Sequence, residues 1–256
     1  PEKTEGRLRG AGKKASVKPQ CGWGIKMKAF WAKALLSSAG LFMSAAPVVH
    51  AACGTSATAV AGVTTIQAAV NFAPATLTAG DHCVYIENGA YSESVAIRNI
   101  DTNNFRIVIS SAPGATVTVS PPAFSTAAFI IANASVSLQG INVSAANSMP
   151  FGVLVSSVNA VISGVNVTDG GGYINTAGIV ISSYSSLSYS NITVTAAYGL
   201  YLPGSIGASV SYSTAQAGSS SFQALYLWEA SSNTFSVFAA GNSAGFGAIL
   251  EDSDNN

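Results

Sequence analysis

The chain has 256 residues, of which 48% are hydrophobic and 9% charged, and its formal net charge at pH 7 is zero. That balance hides an asymmetry, because every lysine lies at or before Lys33, whereas from Ala52 onward two arginines face nine acidic residues, a formal charge of −7. An acidic surface without lysine lacks the positively charged patch that binds nucleic acids and anionic membranes, so we exclude both as partners of this part of the chain.

The first 51 residues have the organisation of a processing signal. Residues 1–26 are basic, aperiodic and without Met, and we interpret them as a non-native upstream extension. In residues 27–51 a basic stretch ends at Lys33, an apolar run ends at Ala46, and Ala51 completes the small-residue spacing of a signal-peptidase site. The apolar run is shorter than the ~20 residues of a permanent membrane span. We therefore expect a cleaved signal peptide and a secreted, periplasmic or cell-surface protein without a transmembrane segment.

Removal of this leader leaves two cysteines, Cys53 and Cys83. An even number of thiols in an oxidising compartment predicts a disulfide, which on a chain-entropy model stabilises the fold by about 3 to 4 kcal/mol. Two buried free thiols, or lipidation of Cys53, are the alternatives. His82 precedes Cys83 on a predicted strand and points to the opposite face, so we predict no metal site here.

Residues 52–127 are predicted to form an N-terminal cap and the first coils of a β-structure. Ile66, Ala69 and Val70 share one face of a helix near residues 64–72, and Pro74 ends it. Alternating strands follow at residues 84–86 and 91–97, separated by a turn. The helix is short and has one apolar face, which suits a cover for the open end of a stacked core.

Residues 128–256 repeat a small residue followed by apolar alternation. The small residues recur at intervals of 21 to 26 residues: Ala128, Gly152, Gly178, Gly199, Ala224 and Gly247. Each precedes an inward pair such as Val153 and Val155, and a second apolar column runs through Leu138, Ile162, Tyr189, Tyr212 and Phe235. Strand alternation at this repeat length indicates stacked coils. We predict an all-β fold, a right-handed parallel β-helix (solenoid) with a short N-terminal capping helix, truncated at its C-terminus; an antiparallel β-sandwich is the alternative.

Three segments carry a family resemblance: TIQAAVNFAP, VYIENGAYSESVAI and IVISSAPGATVTV, at residues 65–74, 84–97 and 107–119. They resemble the N-terminal part of pectin methylesterases and of other secreted proteins of the pectin-lyase-like superfamily. The later coils are similar to generic β-helix repeats of that superfamily. The resemblance spans roughly residues 64–256 and implies a β-helix that acts on or binds polysaccharide.

The catalytic residues implied by this resemblance are missing from the coils. Pectin methylesterases are implied to use two aspartates, a glutamine-rich oxyanion region and an arginine, and the lyases a Lys or Arg base. In this chain Asp169 is the only acid between Asp101 and Glu229, and no arginine follows Arg106. Neither mechanism transfers residue by residue, and Asp169, before three glycines, is interpreted as a turn former.

Glu229 and Asp252 are the remaining catalytic candidates. The repeat register places them one coil apart, where two carboxylates share a proton or hold Ca²⁺ in some carbohydrate-active enzymes. Solvated turn residues with splayed side chains are the alternative interpretation, and we predict no other cofactor.

Tyr201, Tyr226 and Trp228 are the candidate ligand-binding residues. The two tyrosines lie in the middle of their apolar triplets and should face outward on neighbouring coils, with Trp228 two residues further along. Aromatic rings on a rigid sheet suit sugar binding. The same column holds apolar residues (Ile130, Leu154, Val180 and Ile249), so a covering segment or subunit is the alternative.

Three functional classes follow from these observations. The first is a secreted or surface-exposed β-helix that binds carbohydrate or acts as an adhesive, non-catalytically. The second is a carbohydrate-active enzyme of the pectin-lyase-like type whose active coils lie beyond Asn256 or use Glu229 and Asp252. The third is a purely structural stalk, and the weak set of catalytic candidates favours the first.

Overall fold

The computed structural model describes residues 53–256, so the extension and signal peptide predicted in residues 1–51 lie outside the described residues. In chain order the elements are β1 (Cys53–Ala59), α1 (Ile66–Asn71), β2 (Asp81–Ile86), β3 (Gly89–Tyr91), β4 (Val95–Ile97), β5 (Ile107–Ser111), β6 (Val117–Val119), β7 (Ala127–Ile131), β8 (Val136–Gln139), β9 (Ile141–Ser144), β10 (Met149–Val155), β11 (Val161–Ser163), β12 (Asn166–Thr168), β13 (Ile174–Val180), β14 (Ser186–Ser188), β15 (Asn191–Val194), β16 (Tyr198–Pro203), β17 (Ser209–Ala217), β18 (Leu225–Trp228), β19 (Thr234–Asn242) and β20 (Ala248–Glu251).

These strands form a three-sided parallel solenoid of about 8 turns. The first face contains β1, β2, β5, β8, β11, β14 and the first halves of β17 and β19. The second contains β3, β6, β9, β12, β15 and the second halves of β17 and β19, and the third contains β4, β7, β10, β13, β16, β18 and β20. Pairing between all named strands is parallel, which confirms the predicted β-helix and rules out the antiparallel sandwich.

The core consists of inward side chains that stack from coil to coil. On the third face Val153 pairs in register with Phe129 below and Ile179 above, and the column continues to Leu200 and Leu225. All five are buried. Each coil leaves its apolar interior open at both ends, so only stacking on neighbouring coils buries it. The predicted inward pairs are confirmed up to the final coil, where Leu250 is exposed.

The repeated glycines of the third face, Gly152, Gly178 and Gly199, are required by close backbone approach. A Cβ on Gly152 would overlap the carbonyl oxygen of Gly178 and lie 2.7 Å from Cγ1 of Val167 on the second face. A Cβ on Gly199 would lie 2.5 Å from the carbonyl oxygen of Ala224. This confirms the steric reason for the repeat, and tight packing rather than positive φ is its cause.

The predicted second column is wrong at two coils. Leu187 and Val210, not Tyr189 and Tyr212, stack above Ile162. The register error has a physical reason: Ser190 and Ser213 occupy inward positions that hold Ile141 and Val165 in earlier coils, which breaks the apolar pattern. Their buried hydroxyls are satisfied by backbone groups, so each serine replaces an apolar residue without an unpaired polar atom.

Helix α1 packs against the first coils as predicted, with Ile66, Ala69 and Val70 buried. The Glu93 carboxylate accepts the backbone N–H groups of Ile66 and Gln67 at 2.8 and 2.9 Å. The Gln67 side chain in turn accepts from Ala96 N–H at 2.6 Å and donates to Ala96 O at 3.2 Å, which occupies the open edge of β4. A side-chain amide thus replaces a neighbouring strand at this edge, a protection against edge-to-edge pairing.

The predicted disulfide between Cys53 and Cys83 is present, with Cα atoms 5.8 Å apart and a sequence separation of 30. It joins β1 to β2 at the N-terminal end of the first face.

Candidate functional site

The outer surface of the third face carries the predicted column of large side chains. Tyr201 pairs with Val180 below and Tyr226 above, and the full outward column is Ile130, Leu154, Val180, Tyr201, Tyr226 and Ile249. Both tyrosines are half-buried, and Trp228, two residues along β18, is 40% exposed. The structure therefore brings the three residues named as ligand-binding candidates together on one outer face.

Two further aromatic residues belong to this cluster. The Tyr198 ring lies 4.6 Å from the Tyr226 ring, centroid to centroid, and 5.5 Å from Tyr201, while Phe222 meets Tyr198 edge-on at 5.0 Å. Sequence reasoning missed Tyr198, although it directly precedes the small residue Gly199 of the repeat. Its register partners on earlier coils are Ala177, which is fully buried, and Phe151, so the repeat gave no signal that Tyr198 faces outward.

The ring geometry determines which aromatic surface is free. Tyr201 and Tyr226 are stacked with centroids 5.3 Å apart and planes at 14°, and Tyr198 and Tyr226 at 4.6 Å and 21°. Nearly parallel rings at these separations overlap in offset stacks, so each tyrosine covers part of its neighbour's face. Trp228 stacks on none of these tyrosines, and its strand neighbours in register are Pro203 and Glu251. The indole is therefore the ring most available to a planar ligand.

Glu251 is the acidic partner of the cluster. The Tyr226 hydroxyl donates to the Glu251 carboxylate with an O–O distance of 2.6 Å, and this hydrogen bond raises the pKa of Tyr226 well above its usual value. Burial raises the pKa of Tyr198 and of Tyr201 as well, with nearby negative charge adding to it. All three phenols stay protonated at neutral pH, and the cluster combines an apolar surface with hydroxyl groups and one carboxylate.

Glu229 and Asp252 occupy successive coils, as the repeat register predicts, because Trp228 pairs with Glu251 immediately before them. Both have positive φ, 50° and 48°, and lie exposed at a corner where the preceding coil has Gly204, φ 56°. These are turn positions with left-handed backbone, which glycine and aspartate adopt readily. Within residues 53–256 no group of three His, Cys, Asp or Glu side chains is arranged to hold a metal ion.

Asp169 is a turn former, as predicted, and it is fully buried. Its carboxylate accepts the backbone N–H groups of Tyr173 and Ile174 at 2.7 and 3.0 Å, which closes the glycine-rich loop before β13. With both oxygens used in this way, Asp169 has a structural role.

In residues 53–256 no helix is long and apolar enough to cross a membrane.

Comparison of the chain with protein-family models, with curated proteins and with solved structures finds no match. The resemblance to the pectin-lyase-like superfamily thus rests on the three segments quoted above, and what is established is the parallel β-solenoid fold.

Proposed function

We propose that this protein is an exported β-helix that binds an uncharged polysaccharide through the third-face aromatic cluster, Tyr198, Tyr201, Tyr226 and Trp228, without catalysing a reaction on it. The observation that carries the proposal is the concentration of these rings on two neighbouring strands, β16 and β18, of one rigid outer face. Aromatic rings bury the apolar faces of sugars, and phenol hydroxyls and a carboxylate bond the sugar hydroxyls.

The charge of the chain supports an uncharged ligand. The acidic residues nearest the cluster are Glu229, Glu251 and Asp252, and neither Lys nor Arg occurs in residues 107–256. A polyanion such as polygalacturonate would bring negative charge to a surface that already carries it and lacks cations. A neutral glycan avoids that repulsion.

The disulfide supports export. Disulfides persist in the extracellular space, the periplasm and comparable oxidising compartments and are rare in the cytosol. A polysaccharide-binding role at the cell surface or outside the cell agrees with this compartment.

The proposal is tested with neutral hexasaccharides (cellohexaose, xylohexaose and mannohexaose) and with hexagalacturonate as the anionic counterpart, by isothermal titration calorimetry. We expect binding of at least one neutral probe, and Trp228→Ala should weaken it about tenfold, equivalent to about 1.4 kcal/mol. Phe124→Ala is the matched control, because Phe124 is fully exposed on a loop preceding β7, away from the third-face cluster. Unchanged affinity in Trp228→Ala contradicts the site, and release of unsaturated sugars or methanol from pectin contradicts the non-catalytic role.

A further inference from the structure

A second aromatic surface lies at the corner between the first and second faces. One residue per coil turns the chain there with a positive φ: Gly140 (68°), Gly164 (62°), Tyr189 (50°), Tyr212 (46°) and Val237 (50°). These residues stack from coil to coil because each follows the first-face strand by the same offset. We call this column the glycine–tyrosine corner.

The tyrosines are strained at this position. Left-handed backbone is accessible to glycine without cost, whereas a bulky residue held there costs about 1 to 3 kcal/mol. Two earlier coils of the same chain use glycine at the same corner, so the fold does not require tyrosine there. The side chains are about half exposed, Tyr189 to 45% and Tyr212 to 53%. Val237 in the same column also has positive φ with an exposed side chain, so what distinguishes the two tyrosines is that their rings stack on each other.

The ring arrangement leaves one aromatic face free. Tyr189 and Tyr212 are stacked with centroids 5.1 Å apart and planes at 3°, so Tyr212 covers the upper side of Tyr189. On the lower side the next residue of the column is Gly164, which has no side chain. A Cβ added there would meet only backbone atoms of Gly140, at 3.6 and 3.7 Å. The free face of Tyr189 therefore stands above a shelf of two glycines.

Polar side chains border this shelf on both sides. On the first face the Ser188 hydroxyl donates to Ser163 with an O–O distance of 3.1 Å, and on the second face the Asn166 amide donates to Asn142 at 3.0 Å. The surrounding strands β8, β9, β11, β12, β14, β15, β17 and β19 contain no charged residue. A ligand with a flat apolar face and several uncharged hydroxyl groups matches such a border, and a charged ligand does not.

We infer that the glycine–tyrosine corner is a second carbohydrate-binding site, in which one sugar ring of an uncharged polysaccharide stacks on the free face of Tyr189 above Gly164. The hydroxyl groups of the sugar form hydrogen bonds with Ser163 and Ser188 at one edge of the sugar ring and with Asn142 and Asn166 at the opposite edge. This site lies on a different surface from the third-face cluster, and its argument does not depend on that cluster.

The test separates the two sites by working in a Trp228→Ala background, with the neutral hexasaccharides named above. We expect residual binding that Tyr189→Gly reduces at least tenfold, and that Gly164→Asn also reduces, because asparagine tolerates positive φ and fills the shelf. Tyr184→Gly is the matched control, since Tyr184 is likewise an exposed tyrosine with positive φ, 55°, but at another corner. Its affinity should be unchanged.

Urea unfolding supplies the second measurement. In Tyr189→Gly the relieved backbone strain is offset by the greater freedom of glycine in the unfolded chain, and the same two effects act in Tyr184→Gly, so we expect similar free energies of unfolding for the two variants. A loss of stability clearly larger than that of Tyr184→Gly would overturn the inference, because it would mean that Tyr189 is retained for packing. Loss of all binding in Trp228→Ala alone, or unchanged affinity in Tyr189→Gly, would overturn the second site while leaving the third-face proposal intact. Absence of binding by the parent protein to any neutral probe would overturn both.

Discussion

Gly152→Ala tests the packing that closes the solenoid between its second and third faces. The added methyl group would overlap the carbonyl oxygen of Gly178 on the next coil and lie 2.7 Å from Cγ1 of Val167. Neither neighbour moves freely, because the carbonyl belongs to a paired strand and Val167 is fully buried. Overpacking of this kind costs about 1 to 3 kcal/mol, and the reduced freedom of the unfolded chain returns about 0.4 to 1 kcal/mol. A net loss of roughly 1 to 2 kcal/mol remains.

The measurement is thermal and urea unfolding followed by circular dichroism, in which that loss lowers Tm by about 2 to 8 °C for a domain of this size. Gly241→Ala is the matched control, because Gly241 also lies in a strand, β19, but a Cβ there meets nothing within 4 Å. It should be neutral or slightly stabilising. Equal stability of Gly152→Ala and the parent protein, or equal shifts in both glycine variants, would refute the close-approach explanation of the repeated small residues.

Two further predictions concern the N-terminal end. Replacing Cys53 and Cys83 with alanine opens a link with a sequence separation of 30. The free energy of unfolding should fall by about 3 to 4 kcal/mol, and m in urea should rise because the unfolded chain becomes less compact. Stability equal to that of the oxidised parent would show that the bridge adds nothing. Burial lowers the pKa of His82, whose Nε2 donates to Ala69 O at 3.1 Å while Nδ1 accepts from the Thr55 hydroxyl at 2.8 Å. The contribution of neutral His82 to the free energy of unfolding is therefore fully present above the unfolded-state pKa of about 6.5. It falls as the pH drops below that value, by at most about 1.4 kcal/mol per pH unit. Urea unfolding between pH 7.5 and 5 should show this slope in the parent and lack it in His82→Gln; the same slope in both would assign it to other groups.

The residues that stack between coils could be predicted from the sequence because a solenoid repeats along one dimension. Each coil contacts only its neighbours, so the repeat itself specifies which residues stack. The inward column from Phe129 to Leu225, the outward placement of Tyr201 and Tyr226, and the buried face of α1 were all readable in this way. The paired cysteines were predictable because their number and the expected compartment allowed a single bridge.

The errors arose where a coil departs from the repeat. Ser190 and Ser213 replace apolar core residues, and a pattern based on hydrophobicity slips by two residues at such sites, which moved Tyr189 and Tyr212 into the core. The structure places both at a corner with positive φ and exposed rings.

The sequence by itself therefore determined the fold class, the period of the coils and the direction in which most strand residues point, because strand alternation and coil stacking are local and repetitive. Only the tertiary structure decided what the outer surfaces present. The third-face cluster brings Tyr198 into contact with Tyr226 and places Phe222 and Glu251 beside them. The corner site joins Gly164 with Tyr189 from neighbouring coils. Their contacts depend on ring orientation, on corner dihedral angles and on the side-chain conformations that follow, none of which is encoded in the alternation of polar and apolar residues.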